Sequence, residues 1–440
     1  MLARLHSVTL EGIEGVICEV EVDVARGGFE KTVVVGLPDT AVKESTERVK
    51  SAIVNSGYEY PRTQSLVNLA PADIKKNGPA FDLAIALGML AGQGILDTQS
   101  FNEYVIIGEL ALDGRIRPVN GVLSMAMTAA ARGYRKIVVP RQNAKEAAVV
   151  SGIGVYGVGS LSEAALLVSG QRAMETIEVD IDRMFETESR YDTDFSEVKG
   201  QEAVKRALVV AAAGGHNVMM IGPPGSGKTM LAKRLATILP PLNLEESLET
   251  TRLYSSAGLL ERNRALMAVR PVRSPHHSAS GPSLVGGGTI PRPGELSLAH
   301  NGILFLDEFP EFPRNVLEMI RQPLEDGMVT VARARRTLSF PARFILIAAL
   351  NPCPCGYYGS SVRQCRCSQA QVERYMSRVS GPLLDRIDIH ADVNAVDFTG
   401  LRSGGRHKSS TELREQVNIA RQIQSSRFSS ETLSNARMSH

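Results

Sequence analysis

The spacing of apolar positions changes period along the chain. Between residues 16 and 24, Val16, Cys18, Val20, Val22 and Val24 alternate with less apolar neighbours, the period of a half-buried strand. A second strand is predicted over 31–35, after the turn Arg26-Gly27-Gly28. A helix is predicted over 40–56, where Val42, Val49, Ile53 and Val54 fall near one face. Further helices are predicted over 82–91 and over 123–132, the latter closed by Gly133. Short apolar strands are predicted over 104–108 and 136–140, and a hairpin turn at Asp113-Gly114. This mixture predicts an α+β domain over residues 1–170.

Periodicity fades from 172 to 194, a charged stretch that reads as a connector, so residues 171–195 are expected to be a linker. A second pattern then begins. A helix is predicted over 202–213, with Val204, Leu208 and Ala211 at helical spacing. Apolar runs over 218–221, 303–306 and 344–350 read as buried strands, and a helix is predicted over 230–239. Residues 196–400 therefore read as an α/β domain. A last helix over 411–426, with Leu413, Val417 and Ile423 near one face, is expected to begin a partial helical lid over 401–440.

Composition narrows the class. The 440 residues are 43% hydrophobic and 22% charged, ordinary for a soluble protein of two or three domains. A net charge of +2 gives no global signal for nucleic acid, so any such surface is local. The longest apolar run, over 83–96, is too short to span a membrane and carries Gly88, Gly92 and Gly94. Arg4, His6 and Glu11 occupy the place of a secretory leader's apolar core. Five cysteines, four of them clustered, do not form a disulfide framework. A cytoplasmic protein with no membrane partner is expected.

The chemistry centres on Gly222-Pro223-Pro224-Gly225-Ser226-Gly227-Lys228-Thr229, which fits G-x-x-x-x-G-K-[ST] between a strand and a helix. Glycines let backbone N–H groups curl round a polyphosphate, and the helix start adds a favourable dipole. Lys228 reaches terminal phosphates and Thr229 offers a hydroxyl to Mg²⁺, so ATP and Mg²⁺ are the expected cofactors. The strand over 303–306 ends in Asp307-Glu308. Beside the phosphate loop, Asp307 is placed to hold Mg²⁺ and Glu308 to deprotonate the attacking water.

Three segments point elsewhere. Residues 270–295 carry His276, His277, the glycines Gly286-Gly287-Gly288 and several prolines, which exclude continuous helix or central strand. They form a long ordered loop or a broken helix. The histidines read as hydrogen-bonding loop residues, with metal ligation the alternative. Residues 327–341 read as a β-hairpin whose tip carries Arg333, Arg335 and Arg336; these would meet nucleic-acid phosphates or lie solvated. Cys353, Cys355, Cys365 and Cys367 form C-x-C, nine residues, C-x-C. Four thiols at this spacing suit a structural Zn²⁺ site, with redox sensing or plain reduced thiols as alternatives. Cys18 reads as core.

Two stretches resemble Lon-type proteases: Asn77-Gly78-Pro79-Ala80-Phe81-Asp82 through Leu87, and Ile107-Gly108-Glu109 through Gly121. That family works through a Ser–Lys dyad. Aligned residue by residue, its serine falls on Ala80 and its lysine on Leu123, so a Lon-like fold without peptidase chemistry is implied. Lys75 and Lys76 are expected to be solvated surface or partner contacts. Similar domains lacking the dyad occur in RadA-type DNA repair ATPases, which suggests an assembly or DNA-guiding module; a passive packing domain is the alternative.

The second domain resembles AAA+ ATPases. By that resemblance Val198 and Gly200 lie over the adenine, Asn351 is the polar sensor, and Arg386 in Leu383-Leu384-Asp385-Arg386 is the arginine finger offered to a neighbouring subunit. An ion pair with Asp385 or Asp388 is the alternative for Arg386. Together with the Lon-like segment, the Gly286-Gly287-Gly288 loop and Asn351-Pro352-Cys353-Pro354-Cys355-Gly356, these motifs resemble the ComM/YifB group of magnesium-chelatase-like AAA+ proteins across nearly the whole chain. The resemblance implies a homo-oligomer, a hexamer, that hydrolyses ATP and acts on branched or single-stranded DNA as a branch-migration helicase in natural transformation. It also implies that the helical lid is cut short here. The rival readings are a chelatase-like metal-insertion motor and a regulatory ATPase without DNA.

Overall fold

The computed structural model describes all residues except 98–99, 289–290, 334–335, 361–362, 395–406, 431–432 and 439–440, and for Arg333 and Arg336 the backbone alone. No helix among the described residues is long and apolar enough to cross a membrane. The chain divides into two compact units, one of Met1–Arg183 with Thr251–Met267, the other of Met184–Thr250 with Ala268–His440.

The first unit is built on a seven-stranded mixed sheet. Its order is Lys31–Val35, Gln64–Ala70, Glu14–Val24, Leu2–Glu11, Tyr104–Ile106, Lys136–Pro140 and Gly154–Val158. The alternation over 16–24 does what period two requires: Cys18, Val20 and Val22 are completely buried and their neighbours are not. All eleven residues of the helix Asp82–Gly92 are buried, which explains an apolar run with no polar face. Gly88 lets that helix lie flush on the sheet, because a Cβ there would come within 2.6 Å of Val22 Cγ2. The helix Thr40–Asn55 buries Val42, Val49 and Ile53, but Val54 is exposed, one residue and about 100° round from Ile53.

Lys76 departs from its expected place on the surface. It is fully buried, and its ammonium donates to the Pro71 carbonyl. Burial pushes its pKa down. Lys75 beside it is exposed, as expected.

The second unit carries a five-stranded sheet in the order Val272–Arg273, Ile303–Leu306, Ile345–Leu350, Val218–Ile221, Ile389–Asp392. Every pair is parallel. Its inner strands are unbroken apolar runs, buried along almost their whole length, as parallel sheets covered on both faces are. The charged stretch expected as an irregular connector contains the helix Ile181–Glu188, which buries only Met184. Residues 270–295 fold into short pieces: the helix Gly281–Val285, Gly286–Gly287 paired with Arg292–Pro293, and the helix Glu295–Leu298. The predicted hairpin is present as Met328–Arg333 and Arg336–Pro341, with Val329 opposite Phe340 and Val331 opposite Leu338.

The last helix, Ser410–Phe428, buries Leu413 and Val417. Ile423 is 58% exposed, against expectation; Gln424, seven residues beyond Val417, completes the buried stripe and donates to Ala213 O at 2.9 Å. A step of seven returns to the same helix face, and a step of six does not.

Candidate nucleotide site

Three adjacent parallel strands end side by side, Ile221 pairing with Leu350 and Leu306 with Ala348. The phosphate loop, Asp307-Glu308 and Asn351 leave these carboxyl ends, where open α/β sheets collect ligands. Gly222 is required by closeness, since a Cβ there would sit 2.1 Å from Val393 O. Gly225 and Gly227 have φ of 77° and 91°, which curls the loop into the start of the helix Lys228–Ile238. That helix begins without a side-chain cap.

Lys228 is 8% exposed. Its Nζ donates to Gly222 O at 2.7 Å and Pro223 O at 3.0 Å, and lies 3.3 Å from Asn351 Oδ1. Burial lowers its pKa, and the Asp307 carboxylate opposes that shift. Thr229 donates its hydroxyl to Asp307 Oδ2 at 2.8 Å. Ser226 Oγ is buried with no hydrogen-bond partner among the described residues. A hydroxyl and an oxygen pair converging at a helix start, with an orphaned donor in the loop, fit a Mg²⁺-bearing polyphosphate.

Glu308 stands in the left-handed region at φ 52°, directly after the strand and Asp307. His277 Nδ1 lies 3.0 Å from its Oε2. His277 lies against His276 with ring centroids 4.0 Å apart and the rings tilted by 35°, and it is T-shaped to Phe312. Sequence reasoning left the role of His277 within its loop; 31 residues separate it from Glu308, so no local spacing signals the contact. His276 does bond within its loop, Nδ1 to Ser278 Oγ at 2.8 Å.

Arg386 pairs with neither Asp385 nor Asp388. Its Nε and Nη2 reach Glu325 Oε1 at 3.1 and 2.8 Å, and Asp388 bonds His216 instead. Val198 is completely buried, and Gly200 has φ 66° before the helix Glu202–Gly214. The side chains of Arg333, Arg335 and Arg336 lie outside the described residues. Cys353, Cys355, Cys365 and Cys367 come together, all four sulfur atoms within 4.8 Å of one another. In the first unit the dyad positions are apolar and enclosed: Ala80 is 6% exposed and Leu123 not at all.

Known proteins give the same picture. The family model described as magnesium chelatase, subunit ChlI matches residues 194–401, and one described as subunit ChlI of Mg-chelatase matches residues 20–143. Competence protein ComM of Haemophilus influenzae is 43% identical over 430 residues, covering 97% of this chain and 83% of that protein. The uncharacterized protein YifB of Escherichia coli is 44% identical over 393 residues, 89% of this chain and 76% of its own. The magnesium-chelatase 38 kDa subunit of Cereibacter sphaeroides is 26% identical over 175 residues, 36% of this chain and 52% of that subunit. With a parallel-stranded phosphate-loop domain that follows a mixed-sheet unit in sequence, and relatives that match 89–97% of its length, this chain belongs to the ComM/YifB family of magnesium-chelatase-like AAA+ proteins, a membership that implies ATPase activity with ATP and Mg²⁺.

Proposed function

We propose that this protein hydrolyses ATP between neighbouring copies and uses the cycle to move branched DNA. The observation that carries the ATPase half is the convergence of Lys228, the Thr229–Asp307 pair, Glu308 and Asn351 at three adjacent strand ends. Mg²⁺ held by Thr229 and Asp307 would neutralise charge on the β- and γ-phosphates. Lys228 exchanges its loop carbonyls for phosphate oxygens. Glu308 accepts the proton of the attacking water, and Asn351 orients it. Arg386 leaves Glu325 and meets the γ-phosphate of the next copy, so the site is completed by a homo-oligomer, a hexamer in this reading.

The DNA half rests on the family resemblance, on the name of the competence relative and on the arginine-bearing hairpin. The Lon-like unit takes no peptidase role here, because Ala80 and Leu123 carry no nucleophile or base. The similarity to a magnesium-chelatase subunit favours a second reading, a chelatase-like or regulatory ATPase without DNA. ATPase rates without DNA, with duplex and with a four-way junction separate the two. Stimulation by the junction that is lost when Arg333, Arg335 and Arg336 become alanine supports the first. Branch migration of the junction, with Lys228→Ala as control, tests it directly, and rates indifferent to DNA would overturn it.

A further inference from the structure

The cysteine quartet takes part in no step above. Three of its sulfur separations are 3.3, 3.6 and 3.6 Å. A tetrahedron with metal–sulfur bonds of about 2.3 Å has edges of about 3.8 Å. A disulfide would bring two sulfurs to about 2 Å, and all four cysteines are free. The backbone N–H groups of Tyr358 and Cys367 approach Cys353 Sγ and Cys365 Sγ at 3.3 and 3.4 Å. Such donors stabilise negative charge on sulfur, as the outer contacts of a metal–thiolate site do. Cys353 is fully buried and the other three are half-buried, so the quartet is enclosed yet reachable by an ion. Four thiolates with no open position suit a closed structural site, and zinc is the common ion of that type.

The place of the quartet gives such an ion a second consequence. Cys353 follows Asn351 by two residues, and the Asn351 side chain lies beside Lys228. Gly356, at φ 84° in the same turn, is pressed on the phosphate loop: a Cβ there would lie 2.6 Å from Pro224 Cδ. Cys367 directly precedes Ser368, which caps the helix Gln369–Met376 on the path to Arg386. The two cysteine pairs thus join the wall of the phosphate loop to the segment that leads to the arginine.

We propose that Cys353, Cys355, Cys365 and Cys367 hold one structural zinc ion, and that the ion sets nucleotide affinity by holding the 353–358 turn against Pro224 and Asn351. The second clause rests on the nucleotide-site reading above; the first does not. The test begins with metal content of the purified full chain by mass spectrometry. One zinc per chain is expected, lost in Cys367→Ser and in Cys353→Ser. Affinity for a fluorescent ADP analogue is then measured before and after zinc is stripped by a thiol-reactive mercurial, and again after reduction and zinc readdition. A loss of about tenfold or more, recovered with zinc, is expected. Gly356→Ala keeps all four thiols and should keep zinc while still weakening nucleotide binding. Absence of metal, or iron in its place, overturns the zinc site. Zinc present with affinity unmoved by stripping and by Gly356→Ala overturns the coupling. Zinc present in a protein that binds no nucleotide in any state supports the metal site and overturns the ATPase reading instead.

Discussion

The helices Val122–Ala131 and Lys228–Ile238 begin alike, each from a glycine in the left-handed region, Gly121 at φ 78° and Gly227 at φ 91°. Their first turns end differently. In the first unit the protein fills the helix start itself. Gly121 N–H donates to Ser255 Oγ at 2.9 Å, and Leu123 N–H donates to Glu146 Oε1 at 2.8 Å. The Ser255 hydroxyl also bonds Glu146, and Asn143 donates to the other carboxylate oxygen at 3.0 Å. In the second unit, among the described residues, no side chain caps the helix Lys228–Ile238, and Ser226 keeps an unpartnered hydroxyl beside it. A helix start is an anion site only where the fold declines to satisfy its N–H groups internally. Local sequence makes both starts; the surrounding structure closes one and leaves the other open.

The largest effect should come from the open end. Arg386→Ala should lower turnover about 10³-fold or more while ADP affinity changes little. Glu308→Gln should lower it about 10²–10⁴-fold with nucleotide still bound. Steady-state phosphate release set against equilibrium binding checks both, and turnover untouched by either change would break the comparison from this side.

The closed end should resist chemistry. Ala80→Ser with Leu123→Lys restores the residue types of a Ser–Lys dyad, yet it places an ammonium where Leu123 is fully buried. We expect no casein cleavage and a loss of about 3–5 kcal/mol in urea unfolding, the cost of an unpaired buried charge. Peptide hydrolysis by that variant would show that the first unit is a site after all.

A smaller effect lies in pH. Burial pushes Asp82 up to about 6, although the Arg48 guanidinium and the Leu110 N–H pull it down. Burial also raises Glu146, against its bonds from Ser255, Asn143 and Leu123. Both folded-state values lie above the unfolded ones, so the folded unit holds these protons more tightly. The contribution of Asp82 is full below about pH 4 and is lost as pH rises through about 6, up to about 3 kcal/mol, and that of Glu146 runs in the same direction. Asp82→Asn with Glu146→Gln should flatten the dependence of stability on pH over that window, which chemical denaturation at each pH measures.

The smallest prediction concerns His277. Its contact with Glu308 is half exposed, and such contacts are worth about 0.5–1 kcal/mol. His277→Ala frees the carboxylate and should raise DNA-free turnover about two- to fivefold if that contact competes with water. A fall in turnover would mean that His277 positions Glu308 for reaction.

Much of the second unit was legible because its signals are short-range. The run Val218–Ile221, the glycines after it and the helix from Lys228 lie in one stretch, and strand and helix periods are properties of neighbours. The helix predicted over 40–56 is found at Thr40–Asn55, and Cys18 is core as its alternation requires. Ile423 and Val54 went wrong for a local reason, an apolar residue one step off the buried stripe. Lys76 went wrong although its acceptor is near in sequence: the Pro71 carbonyl, five residues earlier, receives the buried ammonium, and no periodicity of apolar positions signals that contact.

What the sequence determined by itself is therefore the set of local geometries: which segments coil or extend, where a glycine must open a turn, and which carboxylates end a strand. Only the tertiary structure decided which of these meet. It placed Glu146 and Ser255, 109 residues apart, on one helix start, gave Arg386 a resting partner in Glu325, set His277 against Glu308, and drew four cysteines together. The reason is range: a backbone period or a cap is settled within a turn or two of chain, whereas the partner of a polar group depends on which distant segments the packed core brings within hydrogen-bond reach.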